Sequence, residues 1–120
     1  MKPQIDSTEF GSITIDGETY DHDVVIRLSG EVKKRKKKLS KHALGTSHII
    51  SLEEAMAVYE DGAELLIFGT GQEGVARLSN EASAFFSEKG CEVKAARTPE
   101  AVNLWNNSSG KVIGLFHTTC

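Results

Sequence analysis

The chain has 120 residues, the length of one ordinary domain, and we expect residues 1–120 to form a single domain. Hydrophobic residues make up 39% and charged residues 26%, with a net charge of −3, which is typical of a soluble globular protein. No apolar run approaches the roughly 20 residues of a membrane span, and the N-terminus "MKPQIDSTEF" lacks the apolar core of a signal peptide. We therefore exclude a membrane-spanning protein and predict a cytoplasmic one.

The N-terminal part is predicted to form a β-hairpin. Ile13 and Ile15 alternate with polar residues, Asp16-Gly17 supplies a two-residue turn, and the alternation resumes from Tyr20 to Leu28. An Asp-Gly pair between two alternating segments is a strong local hairpin signal. We expect one continuous second strand that ends near Leu28.

A run of six basic residues, Lys33–Lys38 ("KKRKKK"), follows the hairpin. Adjacent like charges repel one another and favour a solvated loop. The same run could instead form a positive patch for phosphate, nucleic acid or an acidic partner. The acidic remainder of the chain and the lack of interleaved aromatic residues argue against a nucleic-acid groove. We therefore predict a solvated loop and no nucleic-acid binding.

Three later segments carry the signals of helices. In the first, "SLEEAMAVYE", Ser51 is the predicted N-cap and Glu54, three residues on, completes a capping box. The second begins near Ser79 and ends at Lys89-Gly90. The third begins at Thr98-Pro99-Glu100, with threonine as the predicted cap and proline in the first helical position.

Apolar or alternating segments at 65–68, 91–96 and 112–116 are predicted to be strands. The order strand, helix, strand, helix, strand between 64 and 117 is typical of two parallel βαβ units. Together with the hairpin, this order predicts a mixed α/β domain.

Parallel strands share a carboxyl edge, and ligands of open α/β sheets bind outside it. The segments that follow the three strands, 69–74, 97–98 and 117–120, should therefore be neighbours. This placement predicts a site near Gly69, Thr70, Gly71 and Gly74, together with Arg97 and His117.

The stretch Gly69–Gly74 has the pattern G-x-G-x-x-G, but it departs from a dinucleotide-binding loop. Four residues separate it from the next helix cap, and the next strand ends at Arg97 rather than at an acid. Arg97 would suit a 2′-phosphate, so NADP stays possible, although we predict no cofactor. Two other interpretations of this loop remain. In one, the glycines only allow the backbone to turn away from the strand. In the other, the free N–H groups of the loop and the Thr70 hydroxyl bind an anion.

The cysteines and histidines do not assign a reaction. His117 and Cys120 together would suit a thiolate–imidazole pair, but no third orienting group is evident. His48 is interpreted as a capping or buried hydrogen-bonding histidine rather than a base. The four histidines and two cysteines have no metal-ligand spacing, so we predict no metal site. Cys91 opens its predicted strand whereas Cys120 follows the end of a parallel one, which places them near opposite edges of the sheet, so we predict no disulfide within the chain. Cys91 is interpreted as a small buried hydrophobic residue.

Several fragments, in order, resemble one family: "FGSITIDGETYDHDVVI", "GTSH", "LLIFGTGQEG", "TPEAVNLWN" and "KVIGLFHTTC". They resemble the adipogenesis-associated (Mth-type) domain family of small α/β proteins, which is distantly related to a mitochondrial complex I assembly factor. The resemblance implies a three-layer α/β fold with a mixed central sheet, and it implies no established enzymatic activity. By the same resemblance, Gly69, Thr70 and Gly71 are the glycine-loop signature, and His48 and His117 are polar positions near it.

Two functions remain open. The first is a non-catalytic binding or assembly module with a protein partner, because no convincing acid–base pair, metal cluster or triad is evident. The second is a small-molecule-binding protein or enzyme that acts on an anionic ligand, bearing phosphate or a nucleotide. The sequence favours the first over an enzyme and leaves the oligomeric state open. For either, the candidate ligand-binding residues are Gly69, Thr70, Gly71, Gly74, Arg97, His48 and His117.

Overall fold

A computed structural model describes residues 2–120, which form ten strands and four helices. The strands are β1 (Ile5–Glu9), β2 (Ser12–Ile15), β3 (Glu18–Tyr20), β4 (Val24–Ile26), β5 (Val32–Lys34), β6 (Ile49–Ile50), β7 (Leu65–Thr70), β8 (Arg77–Leu78), β9 (Glu92–Ala96) and β10 (Val112–His117). The helices are α1 (Lys38–Leu44), α2 (Leu52–Val58), α3 (Asn80–Glu88) and α4 (Thr98–Asn107). Among residues 2–120, no helix has the length and apolar character needed to cross a membrane.

The central sheet has five strands in the order β5-β4-β10-β7-β9. Strands β10, β7 and β9 are parallel, whereas β4 is antiparallel both to β10 and to β5. The predicted pair of parallel βαβ units is confirmed. β7 and β10 form the centre because their side chains are apolar on both faces and both faces are covered.

Two hydrophobic cores lie on the two faces of this sheet. Alternate side chains of β7 enter different cores: Phe68 packs with Phe86 of α3, and Ile67 packs with Trp105 of α4. The helices α2 and α3 cover one face. Helix α4 and the three-stranded sheet β1-β2-β3 cover the other, with Ile13 of β2 in that core. The predicted three-layer fold with a mixed central sheet is therefore confirmed.

The predicted hairpin is only partly correct. β2 pairs with β3, and Asp16 and Gly17 take the positive φ values of 48° and 81° that such a turn needs. The second strand, however, ends at Tyr20, and β4 belongs to the central sheet beside β10. The apolar–polar alternation read beyond Tyr20 does not describe β4, because all three of its residues, Val24–Ile26, are buried.

The solvated loop predicted for the basic run is only partly correct. Its first two lysines lie in β5 and its last begins α1. The five lysines are exposed, but Arg35 between them is 4% exposed and faces the interior. The run therefore covers the last two residues of the edge strand β5, the turn after it and the first residue of α1, and it buries one guanidinium.

The predicted helix caps are correct at two of three places. The hydroxyls of Ser51 and Ser79 accept the N–H groups of Glu54 and Ala82 at 3.1 and 3.0 Å. At α4 the prediction is wrong, because Arg97 is the N-cap residue and Thr98 is the first helical residue.

Candidate functional site

A chain of buried charged groups connects α2 to the end of β10. The guanidinium of Arg35 donates to both carboxylate oxygens of Glu54, at 2.6 and 3.0 Å, and to Oδ2 of Asp23 at 2.8 Å. The side chains of Arg35 and Glu54 are each 1% exposed. Arginine suits this place because its planar fork can serve two carboxylates at once.

Local structure explains why Glu54 accepts from Arg35 instead of completing the capping box. The N–H of Ser51, which the Glu54 carboxylate should have accepted, is donated to Oγ of Ser40 at 2.9 Å. The Ser40 hydroxyl in turn donates to Glu54. A serine from α1 therefore takes over the backbone contact and leaves the carboxylate to the guanidinium. The carbonyl of Ser47 accepts another N–H of Arg35 at 2.7 Å.

Asp23 connects this ion network to His117. Its Oδ2 accepts from Nδ1 of His117 at 2.7 Å, while its Oδ1 accepts the N–H and the hydroxyl of Thr118 at 2.8 and 2.9 Å. Burial alone would raise the pKa of the Asp23 carboxyl. The hydrogen bonds from His117, Thr118 and Arg35 outweigh burial and hold that pKa well below its usual range. Asp23 is therefore ionised at neutral pH.

An ionised Asp23 decides which nitrogen of His117 is free. In the neutral imidazole the proton stays on Nδ1, so Nε2 carries the lone pair. The hydroxyl of Thr119 lies 3.2 Å from Nε2. His117 itself is 4% exposed. The arrangement therefore presents one oriented nitrogen that can accept a proton from a nearby group or coordinate a metal ion.

A cavity of about 500 Å³ opens beside His117. Asp23 and Arg35 form part of its wall, and Lys34, Lys37 and Asp21 contribute exposed charges. Other residues that line it are Gly11, His22, Ser47, His48, His117, Thr118 and Thr119. The charge of Arg35 is already matched by two carboxylates, so the two lysines supply the positive charge available to a ligand.

His48 and Cys120 meet at the same place. Nε2 of His48 lies 3.4 Å from Sγ of Cys120, and the rings of His48 and His117 are 5.6 Å apart and nearly perpendicular. One potential metal-ligand atom from each of these three residues lies within 4.8 Å of the others. His117 and Cys120 lie three residues apart in the chain, but their spacing from His48 gave no sign that it joins them.

The segments that were predicted to meet at the carboxyl edge do so. Thr70 is paired with His117 across the parallel strands. The Thr98 hydroxyl accepts the N–H of Gly71 at 2.9 Å and donates to the carbonyl of His117 at 2.5 Å. Thr98 therefore does not cap α4, because its hydroxyl joins the glycine loop to the end of β10.

Gly71 permits this close approach. Its φ is 104°, and a Cβ there would lie 2.8 Å from Cδ2 of His117 and 2.5 Å from the backbone carbon of Cys120. A side chain would therefore displace the segment that carries both potential ligands. The glycine positions two site residues, although it has no side chain to offer a ligand.

Most N–H groups of the glycine loop already donate to other protein groups, which argues against the anion-site interpretation. Gln72 donates to the carbonyl of Thr119 at 2.7 Å, and Val75 donates to Cys120 at 2.9 Å. Gly74 donates to a carbonyl within the loop at 3.3 Å. The segment 118–120 lies where the anion would have to bind.

Residues 5–116 match the protein family of unknown function DUF498/DUF598. The chain belongs to this family. The conserved hypothetical protein PH1505 from Pyrococcus horikoshii OT3 is 33% identical, with 98% of this chain and 99% of that chain covered and a TM-score of 0.91. The protein MT938 is 27% identical over 99% and 100% of the two chains, with a TM-score of 0.84. A Mth938-like domain from Bordetella pertussis, 17% identical over 97% and 85%, shares the fold with a TM-score of 0.62.

In this DUF498/DUF598 member, the predicted site residues divide into two groups. His48 and His117 line the cavity, and Gly71 packs behind His117. The other four stabilise the loop and do not line this cavity. The guanidinium of Arg97 donates to the carbonyl of Gln72 at 3.1 and 2.8 Å. The Thr70 hydroxyl donates to the carbonyl of Ala96. A Cβ on Gly69 would lie 2.9 Å from the side chain of Phe116, and a Cβ on Gly74 would lie 3.1 Å from the side chain of Arg97.

The residues that the sequence reasoning missed are Asp23, Arg35 and Glu54. One signal was available for Arg35, since it is the one arginine in a run of five lysines. Arginine differs from lysine in favouring buried, bidentate contact with carboxylates. Asp23 also stands directly before the wholly apolar strand β4, which is an unusual place for a charge that has no partner.

Proposed function

We propose that this protein binds a small anionic molecule in the cavity beside His117. The observation that carries the proposal is the buried Asp23–His117 pair at the wall of a cavity of about 500 Å³. Buried charged groups cost free energy to desolvate, and an arrangement of this kind beside a cavity is typical of functional sites. A cytoplasmic location stays a prediction.

The charges around the cavity favour an anion. Lys34 and Lys37 are exposed at its wall, whereas the buried carboxylates of Asp23 and Glu54 share the single positive charge of Arg35. Asp21 is the remaining exposed acid of the wall. Phosphate or carboxylate groups would bind to the lysines, and Nε2 of His117 would accept a hydrogen bond from a hydroxyl group of the same ligand. The glycine loop contributes to binding only by holding His117 in place.

A thermal-shift panel of inorganic phosphate, nucleotides and acidic metabolites tests binding. A ligand present at 100 times its dissociation constant should add about 2.7 kcal/mol to the free energy of unfolding. The double variant Lys34→Gln/Lys37→Gln should weaken the affinity at least tenfold. The matched control is Lys33→Gln/Lys36→Gln, which removes the same charge from the same run outside this cavity. Equal losses in both variants, or no stabilisation by any member of the panel, would contradict the proposal.

A second function, an assembly module for an acidic protein partner, is favoured by the five exposed lysines of β5, the following turn and the start of α1. Its test is partner recovery with the intact chain and with the five lysines changed to glutamine. Arg35 must stay unchanged in that variant because it is part of the buried network. Unchanged recovery would exclude the lysine surface as the binding site.

A further inference from the structure

We propose that His48, His117 and Cys120 bind a Zn²⁺ ion at the wall of the cavity. Two imidazoles and a thiol from two segments, one before β6 and one at the C-terminal end of β10, place one potential ligand atom each within 4.8 Å of the others. His48 precedes β6, His117 ends β10, and Cys120 lies three residues beyond it. The inference goes beyond the proposed anion binding: the two share the Asp23–His117 pair, but the zinc site does not need Lys34 or Lys37.

The distances suit a tetrahedral site. Zn²⁺ bound to nitrogen at about 2.0–2.1 Å and to sulfur at about 2.3 Å places neighbouring ligand atoms roughly 3.3–3.6 Å apart. Nε2 of His48 and Sγ of Cys120 are already 3.4 Å apart. The widest pair of the cluster must close by roughly 1–1.5 Å at most. His48 and Cys120 are both only half-buried, so side-chain rotation can supply this movement.

His117 is oriented as a metal ligand requires. A ligating histidine usually donates its second ring N–H to a carboxylate, which fixes the tautomer and turns the lone pair toward the metal. Nδ1 of His117 makes this contact with Asp23 at 2.7 Å. Asp23 is itself held by Arg35 and by the N–H and hydroxyl of Thr118. The hydroxyl of Thr119, now 3.2 Å from Nε2, would give way to the ion.

The donor set selects the class of metal. Imidazole and thiolate are ligands of Zn²⁺, whereas Mg²⁺ and Ca²⁺ prefer oxygen. Three protein ligands leave a fourth position, which catalytic zinc sites keep for water or substrate. His48 and His117 both line the cavity, so this fourth position would be reached from it. Binding would release the proton of the Cys120 thiol.

Competition with a chromophoric chelator tests the site in the reduced, metal-stripped full chain. We expect one Zn²⁺ per chain, with an affinity that falls at least 100-fold in Cys120→Ser and in His48→Asn. Asp23→Asn should lower it by about 10–100-fold, as for other groups that orient a metal ligand. The matched controls are Cys91→Ala and His42→Asn, which change a cysteine and a histidine outside the cluster and should alter the affinity less than threefold.

Two further measurements keep the test decisive if a variant folds poorly. Co²⁺ bound to the unmodified chain should show a sulfur-to-cobalt charge-transfer band, and Cys120→Ser should lack it. Zn²⁺ should also slow alkylation of Cys120 in the unmodified protein. No zinc binding, no charge-transfer band, or equal affinity in Cys120→Ser and the controls would overturn the proposal. Lys34→Gln/Lys37→Gln should keep its zinc affinity, so this test and that of anion binding can fail separately.

Discussion

Nδ1 of His117 and Oδ2 of Asp23 lie 2.7 Å apart although 94 positions separate the two residues in the chain. The contact joins the end of the central strand β10 to the segment just before β4, its antiparallel neighbour. Because Asp23 is also bound to Arg35, the histidine is connected through two ion pairs to Glu54 of α2. The orientation of the cavity histidine therefore depends on residues from four parts of the fold.

Asp23→Asn should lower the free energy of unfolding by about 3 kcal/mol, because it removes one partner from a buried ion pair. Chemical denaturation in urea measures the change. Asp21→Asn is the matched control, since Asp21 is exposed and two residues away, and it should change the stability by no more than about 0.5 kcal/mol. Equal effects of the two substitutions would contradict the role assigned to Asp23.

Stability should depend on pH through Asp23. Its carboxyl pKa is depressed in the folded state, so ionised Asp23 stabilises the fold above the unfolded value of about 3.9. This contribution is lost as the pH falls from there through the folded pKa. In buffers containing a chelator, the stability difference between the unmodified chain and Asp23→Asn should be constant above about pH 5 and shrink below about pH 4. A constant difference down to about pH 3 would contradict the prediction.

The Arg35–Glu54 pair should behave non-additively. Arg35→Met alone should cost about 3–5 kcal/mol, since it leaves Glu54 charged and buried. In Arg35→Met/Glu54→Leu both charges are gone, and the loss should be smaller than the sum of the two single substitutions. Urea denaturation of the unmodified chain, the two single variants and the double variant gives the free energies of unfolding for this double-mutant cycle. Lys36→Met, next to Arg35 but exposed, should stay within about 0.5 kcal/mol of the unmodified chain.

Gly71→Ala should destabilise the protein more than Gly62→Ala. Both glycines have positive φ, 104° and 92°, so both substitutions incur backbone strain of about 1 kcal/mol or more. Only at Gly71 would the new Cβ also meet His117 and Cys120, whereas the space at Gly62 is open. Thermal or urea denaturation should separate the two by more than about 1 kcal/mol. A similar loss of stability in both variants would mean that the segment 118–120 moves aside at no measurable cost.

The two thiols should differ in reactivity. Cys91 is 2% exposed and burial raises the pKa of its thiol, so little thiolate is accessible there. Cys120 is half-buried, with its Sγ 3.4 Å from Nε2 of His48. Alkylation of the folded, metal-free chain followed by peptide mapping should label Cys120 first and Cys91 only after unfolding. Labelling of both at comparable rates would contradict the packing around Cys91.

Sequence alone determined the parts of this protein that depend on neighbouring residues. The caps at Ser51 and Ser79, the turn at Asp16-Gly17 and the buried strands β7 and β10 all follow from local preference and apolar runs. The order of strands and helices then predicted the shared carboxyl edge, because parallel strands leave a sheet in one direction. Membership of the Mth938-type family likewise followed from ordered fragments.

Only the tertiary structure decided which polar groups meet. Nothing local distinguishes Arg35 from the exposed lysines beside it well enough to bury it, and Glu54 left its capping contact only because Ser40 supplied another. The same holds for the Asp23–His117 pair and for the cluster of His48, His117 and Cys120. Local preferences act over a few residues, whereas a buried charge is stabilised by whichever partner the sheet register and the packed helices bring within about 3 Å.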